Sequence, residues 1–414
     1  MTPNDTTEHT ATLAEAARIK DVLLKVQARI EAVTQKMESD LLQQSLRNLG
    51  YKDAEDIADT HLLIDARISE KTSVITPEMV AVVLPVSSKS AQTTQKSRTD
   101  IISILEHTDN RLLAVVGPCS IHDPKVALEY AENVQKWIAK YGDNLVIVMR
   151  AYMEKPRTEL GWKGLVYDPL LDKSNDINLG VVITRMLACQ ITDMGVPIAM
   201  ERLNALTPQY VNALVAYDVI GARNTMDQKS REYASGTSSP IGFKNTPDGS
   251  IEAAIQAVVS SKSAHAFLGM GINGAPSQIN SKGNETAHII LRGAASGPNY
   301  SAEHIAKAKE LLQKKGLMQS IVIDASHGNS GKKASQQKTV IADVAEQVAN
   351  GEAAICGVMI ESNLVAGTQR LEDPAKLVYG QSITDECADL DETEAMLAML
   401  ADAAEKRRNR QNIG

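Results

Sequence analysis

The sequence predicts an α/β protein whose body is a (β/α)8 barrel preceded by an N-terminal helical extension. From Leu112 onward, short runs rich in β-branched residues alternate with stretches of helical periodicity, which is typical of parallel βα units. These runs reduce to eight units, the number that a closed barrel requires. The body covers roughly 290 residues, which lies within the range of that fold when it carries insertions.

Nine runs have the length and composition of strands. In chain order they are Leu112–Val116, Leu145–Met149, Val196–Met200, Val219–Ala222, Ile241–Phe243, Ala266–Met270, His288–Leu291, Ile321–Ile323 and Ile355–Ile360. Between the sixth and seventh runs, residues 271–287 contain a proline and many Gly, Asn and Ser residues. This segment is too broken for a helix, so we interpret the two runs as parts of one irregular unit, and eight βα units remain. An open doubly wound sheet is the competing interpretation, but no G-x-G-x-x-G motif opens a helix after the first strand, which favours the barrel.

The N-terminal extension shows apolar positions at three- and four-residue steps between residues 11 and 46, which predicts one or two amphipathic helices. These positions are Ile19, Val22, Leu23, Val26, Ile30, Val33 and Met37. A stripe this narrow requires a partner surface, either the body or another copy of the chain. The predicted organisation is an extension at 1–50 for assembly or regulation, a connecting segment at 51–111 and a catalytic barrel at 112–414.

Composition and charge exclude several classes of protein. The 414 residues include 43 Lys+Arg and 51 Asp+Glu, a net charge of −8, so the chain as a whole has no electrostatic footprint for nucleic acid or an anionic membrane. The polar first twelve residues lack the basic start and apolar centre of a signal peptide, and we expect a cytoplasmic location. Four cysteines without a C-x-x-C pair do not form a disulfide framework or a closed zinc site.

A polar residue follows each predicted barrel strand. In order these are Cys119, Arg150, Glu201, Arg223, Lys244, Arg292, Asp324 with His327, and Glu361, and Asp385 lies a little beyond the last. The carboxyl ends of barrel strands meet at one mouth, where the chemistry of this fold takes place. We therefore expect these side chains to converge.

The polar set divides into two groups by chemistry. Cys119, His327, Glu361 and Asp385 combine soft and hard donors, a set suited to a divalent transition metal with an open position. The second group consists of cations, namely Arg150, Arg223, Lys244 and Arg292, which suit a small polyanion held through phosphate and carboxylate oxygens. The basic turn Lys155-Pro156-Arg157-Thr158 adds charge for a second phosphate.

Several ordered motifs make the chain resemble the class I, microbial type of 3-deoxy-D-arabino-heptulosonate 7-phosphate (DAHP) synthase. They are Gly117-Pro118-Cys119-Ser120-Ile121-His122-Asp123, Met149-Arg150, Lys155-Pro156-Arg157-Thr158, Gly161-Trp162-Lys163-Gly164, Ile220-Gly221-Ala222-Arg223, Gly242-Phe243-Lys244-Asn245, Ile290-Leu291-Arg292-Gly293, Ser326-His327-Gly328-Asn329-Ser330 and Ser382-Ile383-Thr384-Asp385. The similarity extends from about Leu84 to Arg407. It implies a metal-dependent (β/α)8 barrel that condenses phosphoenolpyruvate with erythrose 4-phosphate and releases phosphate, the first step of the shikimate pathway.

The resemblance also implies roles for individual residues. The metal ligands would be Cys119, His327, Glu361 and Asp385, and the phosphoenolpyruvate site would comprise Arg150, Arg223, Lys244 and Arg292, with Glu201 reaching the substrate through water. Erythrose 4-phosphate would contact Lys155, Pro156, Arg157, Thr158 and Asp385. Cys119, Lys155, Glu201 and His327 are then the candidate catalytic residues. The sequence does not choose among Mn, Fe, Co and Zn, and for activation of the attacking water it leaves open Lys155 and a water held by the metal or by Glu201.

Some segments depart from the usual pattern of the family. Residues 224–227 read Asn-Thr-Met-Asp where Thr-Thr-Glu-Ser is usual, and residues 202–205 read Arg-Leu-Asn-Ala where an Asp-Pro pair is common. A low-activity paralogue, a modified acceptor such as arabinose 5-phosphate, and a silent barrel acting as a regulatory scaffold are therefore the alternatives. The resemblance further suggests a homo-oligomer, a dimer or tetramer, and feedback inhibition by an aromatic amino acid near the N-terminal region.

Overall fold

A closed barrel of eight parallel strands forms the body of the protein, in a computed structural model that describes residues 3–48 and 65–411. The strands are β1 (Leu112–Gly117), β2 (Leu145–Arg150), β3 (Ile198–Glu201), β4 (Val215–Ile220), β5 (Ile241–Lys244), β6 (Ala266–Met270), β7 (Pro276–Asn280), β8 (His288–Leu291), β9 (Ile321–Asp324), β10 (Ile355–Glu361), β11 (Val365–Thr368) and β12 (Gln381–Ser382). The barrel order is β1-β10-β9-β8-β5-β4-β3-β2. The predicted (β/α)8 fold is confirmed.

Helices cover the outside of the barrel and extend it at the N-terminus. They are α1 (Pro3–Asn48), α2 (Pro77–Val83), α3 (Ser88–Leu105), α4 (Pro124–Tyr141), α5 (Ile177–Asp193), α6 (Pro208–Val211), α7 (Gln228–Ser235), α8 (Ile251–Ser261), α9 (Ala302–Lys314), α10 (Ala334–Ala349) and α11 (Leu390–Gln411). Every residue of the eight barrel strands is buried, as expected of a parallel sheet covered on both faces. In the part of the chain that the structure describes, no helix is long and apolar enough to cross a membrane.

Helix α3 closes the barrel at the amino ends of its strands. Ile101, Ile104 and Leu105 join the hydrophobic cluster of the barrel interior, and Arg98 donates hydrogen bonds to the Val215 and Asn212 carbonyls. These contacts leave the carboxyl ends of the strands as the open mouth.

Two strand predictions differ most from the structure. The run at Val219–Ala222 overlaps β4, but β4 extends from Val215 to Ile220, with Tyr217 and Asp218 buried within it. Asp218 is tolerated there because its carboxylate pairs with Arg202 at 2.5 Å. The run at Ala266–Met270 forms an antiparallel hairpin with β7 outside the barrel, which agrees with its interpretation as part of an irregular unit.

Helix α1 is one continuous helix, and only part of its apolar surface contacts the body. Ala16 and Leu23 are buried in the main hydrophobic core, and Lys20 bonds Asp176 at 2.9 Å. Six large apolar side chains between residues 22 and 41 are 44% to 62% exposed; they are Val22, Val26, Ile30, Val33, Met37 and Leu41. The predicted boundary between residues 50 and 51 lies outside the described residues.

Candidate active site

Alternation along the barrel strands delivers the polar side chains to the mouth. Successive residues of a strand point to opposite faces, and Val148, Val322 and Met359 belong to the interior cluster. Arg150 follows the first of these by two positions, and Asp324 and Glu361 stand in the same relation to the other two. The strand register therefore points these polar groups into the barrel at its carboxyl end.

A cavity of about 720 Å³ occupies this mouth. Its lining includes most of the residues that the sequence singled out: Arg150, Lys155, Pro156, Arg157, Thr158, Glu201, Arg223, Lys244, Arg292, His327 and Asp385. Cys119 and Glu361 are outside the lining and are buried, with at most 1% of each exposed. A larger groove at the amino ends of the strands, lined by residues such as His107 and Lys309, contains none of the predicted site residues.

Three of the four predicted metal donors lie close enough to share one ion. The donor atoms of Cys119, Glu361 and Asp385 are all within 4.8 Å of one another. His327 Nε2 lies 3.9 Å from Glu361 Oε1, so the fourth predicted donor borders the same group. A thiol, an imidazole and two carboxylates fit a divalent transition metal better than Mg²⁺ or Ca²⁺.

Electrostatics at these donors also fit a cation. Burial and the neighbouring Glu361 raise the pKa of Cys119 to about 11, against the opposing effect of Lys155, so the thiol retains its proton until a cation replaces it. Burial alone would raise the pKa of Glu361, but Arg150, His327 and Lys155 hold it below its usual value. The Glu361 carboxylate is therefore already ionised at neutral pH.

Lys155 connects the donor group with the basic turn. Its Nζ lies 2.8 Å from Cys119 Sγ and 4.0 Å from Asp385 Oδ2, and the side chain is only 8% exposed. The backbone N–H of Lys155 donates to the Lys163 carbonyl at 2.8 Å, which fixes the turn at its base. Arg157 and Thr158, further along the turn, are exposed at the rim.

The four cations of the mouth differ in how they are balanced. Arg150 pairs with Glu361 at 2.7 Å, and Lys244 pairs with Asp324 at 2.7 Å, with all four side chains nearly buried. Arg292 Nε is buried and has no hydrogen-bond partner among the described residues. Because an unsatisfied buried donor is costly, this orphaned N–H is a feature expected where an anion binds.

Glu201 occupies its position because residue 221 lacks a side chain. A Cβ placed on Gly221 would overlap Glu201 Oε1 and would approach its Cδ to 3.2 Å. Glycine at this point therefore lets the carboxylate lie against the backbone that follows β4, within the lining of the mouth.

Behind the basic turn, a buried carboxyl group supports the wall of the cavity. Burial raises the pKa of Glu154 to about 7, opposed by hydrogen bonds from Thr207, Tyr167 and Asn204. Asn204 Nδ2 donates to Glu154 Oε1 at 2.6 Å. Asn204, one of the departures from the family pattern, thus has a structural partner.

The other unusual segment also has local structural roles. Thr225 is buried and donates to the Lys244 carbonyl at 2.6 Å, and Asp227 caps the start of α7 by accepting from the Ser230 N–H. Met226 is 70% exposed. Within this segment, Asn224 lines the cavity, so its contribution to the mouth is a single polar side chain.

Two charged residues of the cavity were missed by sequence reasoning. Lys332 lines the mouth and lowers the pKa of Asp385 together with Lys155 and His327, against the effect of burial. Glu159 lies at the rim next to the basic turn. Both follow motifs that were identified, and a search extended by a few residues beyond His327 and Thr158 would have included them.

Comparisons with known proteins agree on one family. The model of the DAHP synthetase I family matches residues 83–398. The Phe-sensitive phospho-2-dehydro-3-deoxyheptonate aldolase of Escherichia coli K12 is 47% identical over 344 residues, which cover 83% of this chain and 98% of the relative. The Trp-sensitive enzyme of Enterobacter agglomerans is 45% identical over 343 residues, with the same coverage of both chains. The solved structure of the Francisella tularensis SCHU S4 aldolase has 45% sequence identity and a TM-score of 0.81, and the match covers 82% of this chain and 99% of that one.

Proposed function

The chain belongs to the DAHP synthetase I family, and from this premise we propose that the mouth of its barrel condenses phosphoenolpyruvate with erythrose 4-phosphate and water to give DAHP and phosphate. The reaction is the first step of the shikimate pathway. One observation carries the proposal for the site. A group of side chains that could hold a metal ion, Cys119, Glu361 and Asp385, borders a cavity lined by four cations, among them Arg292 with a buried unpaired N–H.

The cationic wall fits phosphoenolpyruvate. Arg150, Arg223, Lys244 and Arg292 surround one space and would hold the phosphate and carboxylate oxygens of this substrate through charge-assisted hydrogen bonds. Because two of these cations are already anchored by buried carboxylates, they act by fixed position and charge rather than by rearrangement. Glu201 would contact the substrate through water.

The basic turn fits the phosphate of the acceptor. Arg157 and Thr158 lie at the rim, and Thr158 Oγ1 accepts from Arg223 Nη1 at 2.8 Å. The basic turn is therefore in contact with the cations proposed to bind phosphoenolpyruvate. Lys155, Pro156 and Asp385 would place the aldehyde end of erythrose 4-phosphate deeper in the cavity. Lys155 is then positioned to deliver or accept a proton beside Cys119.

Cys119, His327, Glu361 and Asp385 would hold the divalent metal ion. Such an ion supplies Lewis-acid polarisation to an aldehyde oxygen. In the condensation, the vinyl carbon of phosphoenolpyruvate forms a bond to the aldehyde carbon and the aldehyde oxygen takes up a proton. Water adds at C2 and gives up a proton, and the C2–O bond to the phosphate group breaks so that inorganic phosphate leaves. The cation cluster balances the charge that develops at C2. The four cysteines are free, and a cytoplasmic location is part of the proposal because a reducing compartment keeps Cys119 available as a ligand.

We also propose regulation and assembly through the N-terminal region. Relatives are named Phe-sensitive and Trp-sensitive, and by similarity an aromatic amino acid is the expected effector of this chain. The exposed apolar face of α1 suits a contact in a homodimer or homotetramer. Deletion of residues 1–50 should change the oligomeric state or the inhibition by aromatic amino acids, and a truncated protein unchanged in both would contradict this part.

The activity is tested by phosphate release from phosphoenolpyruvate plus erythrose 4-phosphate, after chelation and after adding back Mn, Fe, Co or Zn. We expect release that chelator abolishes and metal restores. No release with any metal would overturn the proposed function. A parallel reaction with arabinose 5-phosphate as the acceptor should be slower, and a preference for that sugar would assign a different acceptor.

A further inference from the structure

Asp324 is the buried carboxylate at the mouth that pairs with Lys244. It ends β9, is 0% exposed, and receives contacts from two functional side chains. Lys244 Nζ and His327 Nδ1 approach its Oδ2 at 2.7 and 3.0 Å. The ammonium group of Lys244 is the charge partner that lets a carboxylate be buried at this position.

These contacts determine which nitrogen of His327 carries the proton. The Ser326 hydroxyl donates its single proton to Asp324 Oδ1 at 2.6 Å, so it can only accept from His327 Nδ1, which lies 2.7 Å away. Nδ1 is therefore the protonated ring nitrogen, and it also lies 3.0 Å from Asp324 Oδ2. The lone pair of Nε2 then faces Glu361 Oε1, 3.9 Å away, among the metal donors.

The backbone of His327 supports the same orientation. Its φ is 55°, a left-handed conformation that is uncommon for a residue with a side chain. The turn is closed by a 2.7 Å hydrogen bond from the Lys332 N–H to the His327 carbonyl. The imidazole is therefore fixed from its backbone and from its Nδ1.

We propose that Asp324 is a positioning residue of the metal centre, holding the imidazole of His327 in the tautomer and direction that metal binding requires, while Lys244 provides the counter-charge that allows a full carboxylate to be buried there. The proposal rests on the proposed metal site but concerns metal affinity, which is measurable without turnover. Hydrogen-bonded carboxylates behind ligating imidazoles typically contribute 10- to 100-fold to metal affinity.

The test compares Asp324→Asn with wild type in direct titrations of the metal-free full-length protein with Co²⁺. The asparagine side chain has the same shape as the aspartate it replaces, but it lacks the negative charge and one of the two acceptor oxygens. We expect the Kd for Co²⁺ to rise at least ~10-fold and the d–d absorption bands of bound Co²⁺ to shift, while the thiolate charge-transfer band from Cys119 persists. In the phosphate-release assay the metal activation constant should rise, and kcat at saturating metal should largely recover.

Asp218→Asn is the matched control. Asp218 is equally buried and pairs with Arg202 at 2.5 Å, but it is not part of the mouth lining. The Asp218→Asn substitution should lower the free energy of unfolding and leave the Co²⁺ affinity unchanged. Loss of the hydrogen-bond partner of a ligating imidazole typically changes metal affinity at least ~10-fold. The proposal is therefore overturned if the Kd of Asp324→Asn for Co²⁺ is within about twofold of the wild-type Kd, or if Asp218→Asn raises the Kd as much as Asp324→Asn does.

A milder variant covers the case in which Asp324→Asn does not fold. Ser326→Ala removes one bond to the carboxylate and one to Nδ1 and leaves both charges in place. It should weaken Co²⁺ binding several-fold, and an unchanged affinity would also overturn the proposal. A wild-type protein that binds Co²⁺ but releases no phosphate would instead contradict the proposed function alone.

Discussion

Adding a methyl group at Gly221 should displace Glu201 while leaving the barrel intact. In Gly221→Ala the new Cβ would overlap Glu201 Oε1 and come within 3.2 Å of Cδ, whereas carbon atoms pack at about 3.5–4.0 Å. The carboxylate is the free end of its side chain, so it can move aside. We therefore expect a local shift of about 1.5 Å at the carboxylate, since Oε1 must move that far to reach an ordinary contact with the new Cβ.

The size of the effect follows from the sensitivity of positioned groups. A misplacement of about 1 Å can lower a rate by roughly 10²-fold. Each factor of ten in rate corresponds to about 1.4 kcal/mol in the activation free energy. We expect kcat/KM for phosphoenolpyruvate to fall between roughly tenfold and 10²-fold. KM for erythrose 4-phosphate should change little, because the basic turn that is proposed to bind it is not touched.

The assay is steady-state phosphate release, with thermal unfolding measured on the same preparations. Gly236→Ala is the control, because its Cβ would meet only ordinary contacts of 3.5 Å and longer outside the cavity. Glu201→Gln should lower the same parameter as Gly221→Ala. Full activity of a well-folded Gly221→Ala protein would refute the role assigned to Glu201.

Three further predictions concern single side chains. Cys119→Ala should abolish metal-dependent phosphate release and Cys189→Ala on α5 should not; a fully active Cys119→Ala enzyme would remove this thiol from the metal site. The raised pKa of Glu154, about 7, means that the folded state keeps a proton that the unfolded chain has lost, so stability falls as pH rises to that value. Urea unfolding measures how far the free energy of unfolding decreases between pH 5 and pH 8. This decrease should be smaller in Glu154→Gln than in wild type by about 3 kcal/mol, and an equal decrease in both proteins would contradict the prediction. Burial lowers the pKa of His288 to about 4, so stability should fall as pH drops from 6.5 to 4, and His288→Gln should flatten that fall.

Much of the fold could be read from the sequence because buried parallel strands are nearly continuous apolar runs. The exception was the start of β4, where Asp218 and Tyr217 interrupt the pattern. Their partners are Arg202 on the preceding unit and His288 on β8, and such pairings depend on barrel closure. The hairpin of β6 and β7 was ambiguous for a related reason, since its alternating exposed residues do not carry the signal of a buried strand.

Most residues of the mouth were predictable because they end a barrel strand or follow it within three residues. The basic turn and Asp385 lie further from the barrel strands and were identified only as parts of motifs. The partnerships among the mouth residues were not predictable, because they join residues distant in the chain. The sequence indicated four cations in one cleft, yet Arg150 and Lys244 are neutralised by Glu361 and Asp324. Gly221 was recognised only as part of a motif, and its physical role depends on where Glu201 lies. The contact between Gly221 and Glu201 forms only in the folded barrel, and the spacing of the two residues in the sequence does not predict it.

The pairing of β1 with β10 has a consequence for how the protein is made. Gly117 is in register with Glu361 across this seam, and Cys119 follows two residues later, so donors from the first and last barrel strands meet only when the circle of strands closes. During synthesis Cys119 emerges long before Glu361 and Asp385, and the complete donor set cannot exist on a partial chain. A metal ion held by the proposed donors would link the two ends of the barrel and, by mass action, would favour the closed state over any opening at the seam. Chelation should therefore lower the midpoint of thermal unfolding as well as stop catalysis.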